Sequence, residues 1–230
     1  MISVCIATYN GEQFIRRQLD SVLNEIGPED EVIISDDSST DMTVKIIRGY
    51  QDSRIRLFDK QQWHSPIFNF ENAIKQAKGD VIFLADQDDK WLPGRVENAL
   101  KMHESGCDLV ICNTKTVYND HVEDGRLNPF GRCYLLNLWK PAYIGCTMSF
   151  KREILEMVLP FPKSIAMHDL WIGLLAQRNY KCGYIEEPLI EYNRHEESFV
   201  ARHPMSTTKR IQYRLNMLWQ VLKREKVIRK

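Results

Sequence analysis

The chain has 230 residues, and its 31 basic side chains equal its 31 acidic side chains in number. This length is enough for one large α/β domain with its own core, and the balanced charge argues against a nucleic-acid partner. The charge is uneven along the chain, because residues 209–230 hold eight basic residues and one acidic residue. No apolar run approaches the roughly 20 residues that a membrane-spanning helix needs.

The cysteines and the start of the chain indicate a reducing compartment. The six cysteines form no C-x-x-C pair, and several lie in apolar runs: Cys5, Cys107, Cys112, Cys133, Cys146 and Cys182. Such cysteines are typical of buried free thiols. The first residues also lack the basic start and cleavage site of a signal peptide. We therefore expect a cytoplasmic protein.

Short apolar runs alternate with helical periodicity over the first half of the chain. Strands are predicted over Ile2–Ala7, Glu31–Ser35, Ile55–Phe58, Val81–Ala85 and Asp108–Asn113. Four helices are predicted. The first ends at about Leu23, the second follows a cap at Ser39 or Thr40, and the last two span Pro66–Ala77 and Gly94–Glu104. This alternation predicts an α/β fold with a right-handed, doubly wound, mostly parallel sheet.

The pattern changes after Tyr118. Residues 120–138 are rich in glycine, proline and polar residues, as binding loops are. The elements predicted beyond them are a strand over Ile144–Phe150, helices over Lys151–Val158 and His168–Gln177, one or two strands within Lys181–Tyr192, and a long helix from about Thr208.

An acidic cluster, Asp86-Gln87-Asp88-Asp89, directly follows the fourth predicted strand. Asp86 and Asp88 are two residues apart, so on an extended backbone both point to one side and can reach one ion. Crowded carboxylates favour a hard divalent cation such as Mg²⁺ or Mn²⁺, which commonly accompanies phosphates. An EF-hand is excluded because Lys90 and Trp91 stand where further oxygen ligands are required. A solvated acidic turn is the alternative.

A second acidic pair, Asp36-Asp37, follows the second predicted strand. A carboxylate at such a position can accept a hydrogen bond from a ribose hydroxyl or a base N–H, or it can stabilise a helix N-terminus. Because parallel strands end at one edge of a sheet, we expect Asp36 and Asp88 on the same rim. A receiver-type phosphoacceptor site is disfavoured, because its acid pair normally ends the first strand.

Four segments together resemble the successive motifs of family 2 glycosyltransferases, in order and at family-like spacing. They are Val4–Asn10, Ile34–Asp41, Asn72 with Ala77–Asp80, and Leu84–Asp89. The resemblance is tight over residues 2–105 and looser to about residue 200. It implies a Rossmann-like glycosyltransferase-A fold, a nucleoside-diphosphate sugar donor, a Mn²⁺ or Mg²⁺ ion, inversion at the anomeric carbon, and a role in bacterial polysaccharide assembly.

The resemblance also implies which residues hold the donor. Thr8 and Tyr9 line the nucleoside pocket with Glu12 near it, and Asp36 binds the base or ribose. The donor-binding set that it implies is Thr8, Tyr9, Glu12, Asp36, Asp37, Ser38, Asn72, Asp86, Gln87 and Arg194. The metal ligands that it implies are Asp88, Asp86 and His195. Arg194 and His195 belong to a segment, Tyr192–His195, that resembles the family's Tyr-Arg-x-His-type motif.

The same resemblance supplies the acceptor side. Met167–Trp171 is similar to the family's acid-Asp motif at a helix start, with Asp169 as general base and His168 where an acid is usual. A placed carboxylate that takes the acceptor proton contributes about 10²–10⁴-fold to such a reaction. A helix cap is the alternative role of Asp169. The acceptor-binding residues expected are Trp91, Gly145, Trp171 and His168.

The final segment is amphipathic and basic. Its apolar side comprises Ile211, Leu215, Leu218, Trp219 and Leu222. A basic amphipathic helix can bind an anionic membrane surface, and docking on the domain is the alternative. We therefore expect a catalytic domain over 1–205, with a nucleotide-binding half (1–113) and an acceptor-binding half (114–205), and a helix over 206–230 on the inner face of the cell membrane.

The expected reaction is transfer of a sugar from a UDP- or dTDP-sugar to a saccharide or lipid-linked saccharide hydroxyl. A sugar-nucleotide nucleotidyltransferase is one alternative, but it should carry a glycine-rich loop after the first strand, where Thr8–Gly11 has a single glycine. A non-catalytic binder of nucleotide sugars on the same fold is the other alternative.

Overall fold

The computed structural model describes residues 1–118, 121–125, 128–131, 133–194 and 206–228. The strands are β1 (Ile2–Thr8), β2 (Glu31–Asp36), β3 (Ile55–Phe58), β4 (Val81–Asp86), β5 (Lys90–Trp91), β6 (Leu109–Val117), β7 (Val122–Asp124), β8 (Met148–Lys151) and β9 (Cys182–Asn193). The helices are α1 (Ile15–Glu25), α2 (Thr43–Arg48), α3 (Pro66–Gln76), α4 (Arg95–Glu104), α5 (Tyr134–Trp139), α6 (Ile154–Val158), α7 (His168–Asn179) and α8 (Thr207–Ile228).

The strands form one mixed sheet in the order β3-β2-β1-β4-β8-β6-β9-β5, and β7 pairs with β6 at the side. The first four strands of this order are parallel, whereas β8 runs antiparallel to β4 and β6. Strands covered on both faces are expected to be apolar throughout, which explains the continuous runs of β1, β2 and β4. The predicted α/β fold class is confirmed.

Alternate side chains of the central strands enter two cores, one on each face of the sheet. Cys5 and Leu84 face the core that contains α3 and α7, while Ile6 and Phe83 face the core that contains α1 and α4. This division follows the two-residue side-chain period of a strand. All six cysteines are unpaired and four of them are buried, although Cys133 is exposed.

The register of the parallel strands brings the two acidic segments to one edge. Thr8 of β1 lies opposite Asp36 of β2, and Ala7 of β1 lies opposite Asp86 of β4. The predicted common rim is therefore confirmed, and it lies at the carboxyl ends of the strands, where open α/β sheets bind ligands.

Two predicted elements differ from the structure, and a third, the one or two strands predicted within Lys181–Tyr192, is a single strand. Helix α2 begins only at Thr43, and its N-cap residue is Met42 rather than Ser39 or Thr40; the preceding Asp41 accepts from the Thr43 N–H through Oδ1 at 3.0 Å. The predicted strand at 144–150 opens with a 3₁₀ turn over Gly145–Thr147. Residues 182–193 form one strand despite Pro188, since register irregularities in the pairing with β6 accommodate it.

Helix α8 docks on the domain with one face and leaves another exposed. Met217 and Val221 are fully buried against the core, and Leu218 also packs there, so Leu218 does not belong to the free apolar side that the sequence predicted. The remaining apolar side chains are exposed, and we refer to them as the α8 stripe: Ile211, Leu215, Trp219 and Leu222. Among the described helices, none combines the length and the hydropathy required to traverse a bilayer.

Candidate functional site

Two carboxylates at the end of β2 are bound by the protein itself. Asp36 is 0% exposed and accepts hydrogen bonds from Thr8 Oγ1 (2.7 Å), Ser39 N (2.8 Å) and Ser39 Oγ (2.6 Å). Asp37 accepts from the N–H groups of Trp63 (2.6 Å) and Ser65 (3.2 Å). Asp36 was expected to contact the nucleoside directly. Its burial and its hydrogen bonds to Thr8 and Ser39 contradict this expectation. Thr8, Asp36 and Asp37 instead hold the loops that follow β2 and β3 at the carboxyl edge of the sheet.

Three further residues of the predicted donor set also make structural hydrogen bonds. Gln87 bonds both the N–H and the carbonyl of Tyr9, at 3.0 and 3.1 Å. Glu12 accepts from the N–H of Met42, and Asn72 donates to the hydroxyl of Ser35. These contacts link the segments after β1 and β4, the segments before α1 and α2, and α3 with β2. The side chains of these three motif residues are therefore engaged with the protein itself.

Residues that do present a side chain at this rim include Tyr9, which is 55% exposed. Ser38 adopts a positive φ of 61° and donates its hydroxyl to the Gln61 carbonyl at 2.6 Å. Trp63 is also exposed, and its backbone is held at the rim by Asp37. Trp63 was not predicted as a site residue, because nothing in its local sequence pattern distinguishes it from a core tryptophan.

The acidic cluster after β4 is crowded. One ligand atom each from Asp86, Asp89 and Cys146 lies within 4.8 Å of the other two. Burial, together with the charges of Asp88 and Asp169, raises the pKa of Asp86 to about 7. Burial and the charge of Asp86 raise the pKa of Asp89 well above its usual range. Such shifts mark an excess of negative charge that a cation would offset.

The donor atoms fit a hard cation through oxygen only. Burial raises the pKa of the Cys146 thiol well above its usual range, so Cys146 is protonated and is a poor ligand for Mn²⁺ or Mg²⁺. Asp89 is 1% exposed, its Oδ1 accepts from the Asn193 N–H at 3.0 Å, and its Oδ2 has no partner among the described residues. The predicted ligand His195 lies outside those residues.

Asp169 lies in the first turn of α7, beside Gly145, whose chain neighbour Cys146 belongs to the acidic cluster. Burial raises its pKa to about 6, and the N–H groups of Leu170 and Gly145 oppose this rise by donating to its carboxylate. The charge of Asp169 also raises the pKa of Asp86, which places the two carboxylates within electrostatic reach of each other. The structure therefore brings the predicted base to the acidic rim.

Gly145 and His168 pack closely beside this base. A Cβ at Gly145 would lie 2.9 Å from His168 Nε2, so only glycine fits there without displacing the ring. His168 is buried against Phe70, with 4.3 Å between ring centroids, and within the described ranges neither of its ring nitrogens has a partner. Burial lowers the pKa of His168 to about 4. His168 is therefore neutral where the motif usually has an acid.

The two tryptophans expected to stack on an acceptor are in the cores. Trp171 is 0% exposed and donates its indole N–H to the Val158 carbonyl at 2.9 Å. Trp91 is 2% exposed and packs against Phe83. Neither ring offers a face to a sugar, which corrects the expectation for Trp91 and Trp171.

Three basic and aromatic groups from the C-terminal half lie near the acidic residues: Tyr192, Arg194 and Arg214. Arg194 is exposed at the end of β9, with its guanidinium 5.9 Å from the ring centroid of Tyr192. Tyr192 lies near Asp86 and Asp89, whose charges add to burial in raising its pKa. Arg214 comes from α8, and its charge lowers the pKa of Asp169. No local motif predicted Arg214, because its position depends on how α8 docks.

The chain resembles known proteins over most of its length. The model of the family described as "Glycosyl transferase family 2" matches residues 3–159. A relative is the dTDP-rhamnosyl transferase RfbG of Shigella flexneri, 28% identical over 218 residues that cover 85% of this chain and 73% of RfbG. Another is the UDP-Glc:alpha-D-GlcNAc-diphosphoundecaprenol beta-1,3-glucosyltransferase WfgD of Escherichia coli, 27% identical over 191 residues that cover 80% of this chain and 75% of WfgD.

A solved structure has the same fold. The crystal structure of S. aureus TarS in complex with UDP-GlcNAc matches 97% of this chain with a TM-score of 0.77, at 19% identity, over 66% of the TarS chain. At that identity the match shows a shared fold. Together with the family match over more than half of the sequence, it establishes that this chain belongs to glycosyltransferase family 2 and has the glycosyltransferase-A fold.

Proposed function

We propose that the protein is an inverting, metal-dependent glycosyltransferase. It transfers a sugar from a nucleoside-diphosphate sugar to a hydroxyl of a saccharide or lipid-linked saccharide in bacterial cell-surface polysaccharide synthesis. The observation that carries this proposal is the position of Asp169 beside the acidic cluster: a Cβ at Gly145 would lie 3.7 Å from the Asp169 Cβ, and the next residue, Cys146, has its thiol within 4.8 Å of ligand atoms of Asp86 and Asp89. This proximity supports a reaction in which a base and a phosphate-binding rim act on one substrate pair.

The donor's nucleoside lies in the cleft formed by the ends of β1, β2 and β4, in the nucleotide-binding half (1–113). Tyr9 and Ser38 are the residues of the predicted set best placed to contact it, while Asp36 and Asp37 hold the surrounding loops. A UDP- or dTDP-sugar is the proposed donor. RfbG and WfgD are named for those two nucleotides, which supports testing both.

Asp88 and Asp86, with His195 as a third ligand, are proposed to hold Mn²⁺ or Mg²⁺. When bound, the ion offsets the negative charge that develops on the departing diphosphate. The raised pKa of Asp86 supports this assignment, because its carboxylate lies in a field of like charges. Arg194, at the end of β9, supplies a further positive charge to the diphosphate.

Asp169 is proposed as the general base. Its carboxylate takes the proton of the acceptor hydroxyl while that oxygen forms a bond to the anomeric carbon and the bond to the diphosphate oxygen breaks. The N–H groups of Leu170 and Gly145 orient the carboxylate. In-line attack opposite the leaving group inverts the anomeric configuration. The acceptor enters through the half formed by residues 114–205.

The α8 stripe is proposed to contact the inner face of the cell membrane. Ile211, Leu215, Trp219 and Leu222 are exposed along one side of α8, and Lys223 lies 5.0 Å from the Trp219 ring centroid. An exposed apolar stripe flanked by basic residues suits an anionic lipid surface. A peripheral enzyme at that surface would meet a lipid-linked acceptor.

The decisive assay is incubation with UDP-, dTDP- and GDP-sugars plus Mn²⁺, followed by measurement of nucleoside diphosphate release. Slow release from one donor, abolished by Asp88→Ala, is the expected result. Formation of a nucleotide sugar and pyrophosphate from a sugar phosphate and a nucleoside triphosphate would instead identify a nucleotidyltransferase. Tight binding without release, even with saccharide acceptors present, would identify a non-catalytic binder.

A further inference from the structure

The docked face of α8 carries charged residues that are fully partnered at its C-terminal end. Glu225 accepts from Arg178 at 2.7 and 3.0 Å and from Asn179 at 3.1 Å. Arg224 donates to backbone carbonyls next to Pro160, including those of Met157 (2.9 Å) and Leu159 (2.7 Å). Glu225 and Arg224 therefore have a structural role on this helix, because hydrogen bonds compensate each charge where it is buried.

Arg214 lies on the same face but lacks such compensation. Its Nε is buried and has no hydrogen-bond partner in the ranges that the structure describes. Arg214 is half-buried, and burial lowers its pKa. A guanidinium has five N–H donors in a planar fork, so an incompletely partnered one beside a cleft is suited to an anion.

The packing of α8 on α7 places Arg214 near the start of α7, where Asp169 lies. Glu225 contacts the end of α7 at Arg178, and Arg214 precedes Glu225 by about three helical turns. Asp169, at the start of α7, is the carboxylate whose charge acts on Arg214. The two helices therefore run in the same direction, and the first turn of α7 lies closest to a part of α8 about two turns in from Thr207.

Arg210 lies one turn before Arg214 on this face, close enough for the two charges to repel each other. Within the described residues no salt bridge joins either arginine to a carboxylate; the nearest comparable pair on α8 is Arg178 with Glu225. Two neighbouring guanidinium groups without an acidic partner form a local excess of positive charge at the acceptor end of an otherwise acidic cleft.

We propose that Arg214, assisted by Arg210, forms an anion site beside Asp169 that binds the phosphate of a phosphate-linked acceptor. This inference rests on the proposed function, since it assigns the acceptor to the Asp169 side of the cleft. In a sugar carried on a lipid diphosphate, only the sugar ring separates the reacting hydroxyl from the phosphate. The charges of Arg214 and Asp169 act on each other, and within the described residues no salt bridge joins the two side chains. We therefore place the sugar ring between them.

The acceptor phosphate suits this position better than the donor diphosphate. The donor diphosphate is bound at the acidic rim, where Asp88 and Arg194 are its proposed contacts. Arg214 reaches the cleft from α8, the helix that also carries the exposed α8 stripe. One helix would thus present a lipid-facing stripe on one side and phosphate-binding arginines on another, as a lipid diphosphate requires.

The test is calorimetric titration with undecyl diphosphate, a probe that has the chain and the diphosphate but no sugar. It is performed with and without UDP or dTDP plus Mn²⁺, so that the donor pocket is filled in one series. We expect the wild type to bind the probe in both series. Arg214→Ala should weaken that binding by about tenfold or more, Arg214→Lys should retain part of it, and Lys209→Ala, the control on the same helix, should not change it.

Three results would overturn the proposal. The first is equal affinity of wild type and Arg214→Ala for undecyl diphosphate, or no binding by the folded wild type. The second is a similar loss of nucleoside diphosphate affinity in Arg214→Ala, which would assign the arginine to the donor. The third is a matching loss of binding to phosphatidylglycerol vesicles, which would assign it to lipid headgroups. Thermal melting of each variant verifies folding, and absent nucleoside diphosphate release by the wild type would contradict only the proposed function.

Discussion

The two halves of the cleft are built in different ways. At the ends of β1 and β2, the acidic and polar side chains are saturated with internal hydrogen bonds, as Asp36 is by Thr8 and Ser39. At the start of α7, the ring nitrogens of His168 have no partner within the described residues, and burial shifts the pKa of both His168 and Asp169. The difference indicates that the first half provides shape, whereas the second half and the acidic cluster provide chemistry.

This contrast predicts that the largest effect on catalysis comes from the α7 side. Asp169→Asn should lower kcat by about 10²–10⁴-fold, because the amide cannot take the acceptor proton. The affinity for the nucleoside diphosphate, measured by calorimetry, should remain nearly unchanged. Asp124→Asn, at an exposed position in β7, is the matched control. Equal losses of turnover and donor affinity would make Asp169 a structural residue.

The largest effect on stability should come from the ends of β1 and β2. Asp36→Ala removes a buried acceptor and leaves the Thr8 and Ser39 donors without it, which should lower the free energy of unfolding by about 2–4 kcal/mol. Urea denaturation measures this change. A folded, fully stable Asp36→Ala protein with weakened nucleotide binding would show that Asp36 is a ligand contact after all.

The α8 stripe should affect association with lipid and leave folding intact. Replacement of Leu215 and Trp219 by serine should reduce binding to phosphatidylglycerol vesicles by about tenfold, since each side chain loses its apolar contact with the bilayer. Thermal stability should hardly change, because both side chains are exposed. Unchanged flotation would exclude the membrane contact, and a concentration-dependent dimer that the double variant dissolves would assign the stripe to a second copy.

The acidic cluster should lower the stability of the folded protein, although catalysis requires its residues. The pKa of Asp86 in the folded protein is raised to about 7 from an ordinary value of 3.8, so folding becomes less favourable as the pH rises between those values. Asp86→Asn should therefore raise the free energy of unfolding at pH 8 by on the order of 1–2 kcal/mol while lowering turnover. Urea denaturation without metal measures this change. A lower free energy of unfolding for Asp86→Asn would mean that the charge of Asp86 is well compensated in the folded protein.

The smallest expected effect is a shift in the pH dependence of kcat/KM. Asp169 must be ionised to act, and its pKa of about 6 predicts that kcat/KM falls as the pH drops below about 6. Arg214→Ala removes a positive charge near that carboxylate, so its pKa should rise and the acid limb should move to higher pH, by less than about one unit. A limb that stays in place would show that the two groups do not interact in solution.

Much of this architecture was predictable from short-range patterns. Apolar runs between helical segments were enough to place Asp36 and Asp86 on one rim, because parallel strands end at the same edge. The position of Asp169 at a helix start was also predictable from its motif. Patterns of this kind depend on residues close in sequence, or on the handedness of βαβ units.

The partners of these side chains were not predictable. Asp37 binds the backbone at Trp63 and Ser65, which are distant in sequence, and that contact depends on the path of a loop. Trp91 and Trp171 fit a stacking role by residue type, but their burial depends on the packing of the two cores. The role of Arg214 depends on the face with which α8 docks, and Leu218 shows that hydrophobic periodicity alone assigns that face incorrectly.

The central claim is that one cleft holds the donor, the metal and the general base. A crystal structure with the donor nucleoside-diphosphate sugar and Mn²⁺, using anomalous scattering to locate the ion, tests it most directly. We predict an anomalous peak at Asp88 with the anomeric carbon turned towards Asp169. A peak away from the acidic cluster, or a sugar directed away from Asp169, would contradict the account.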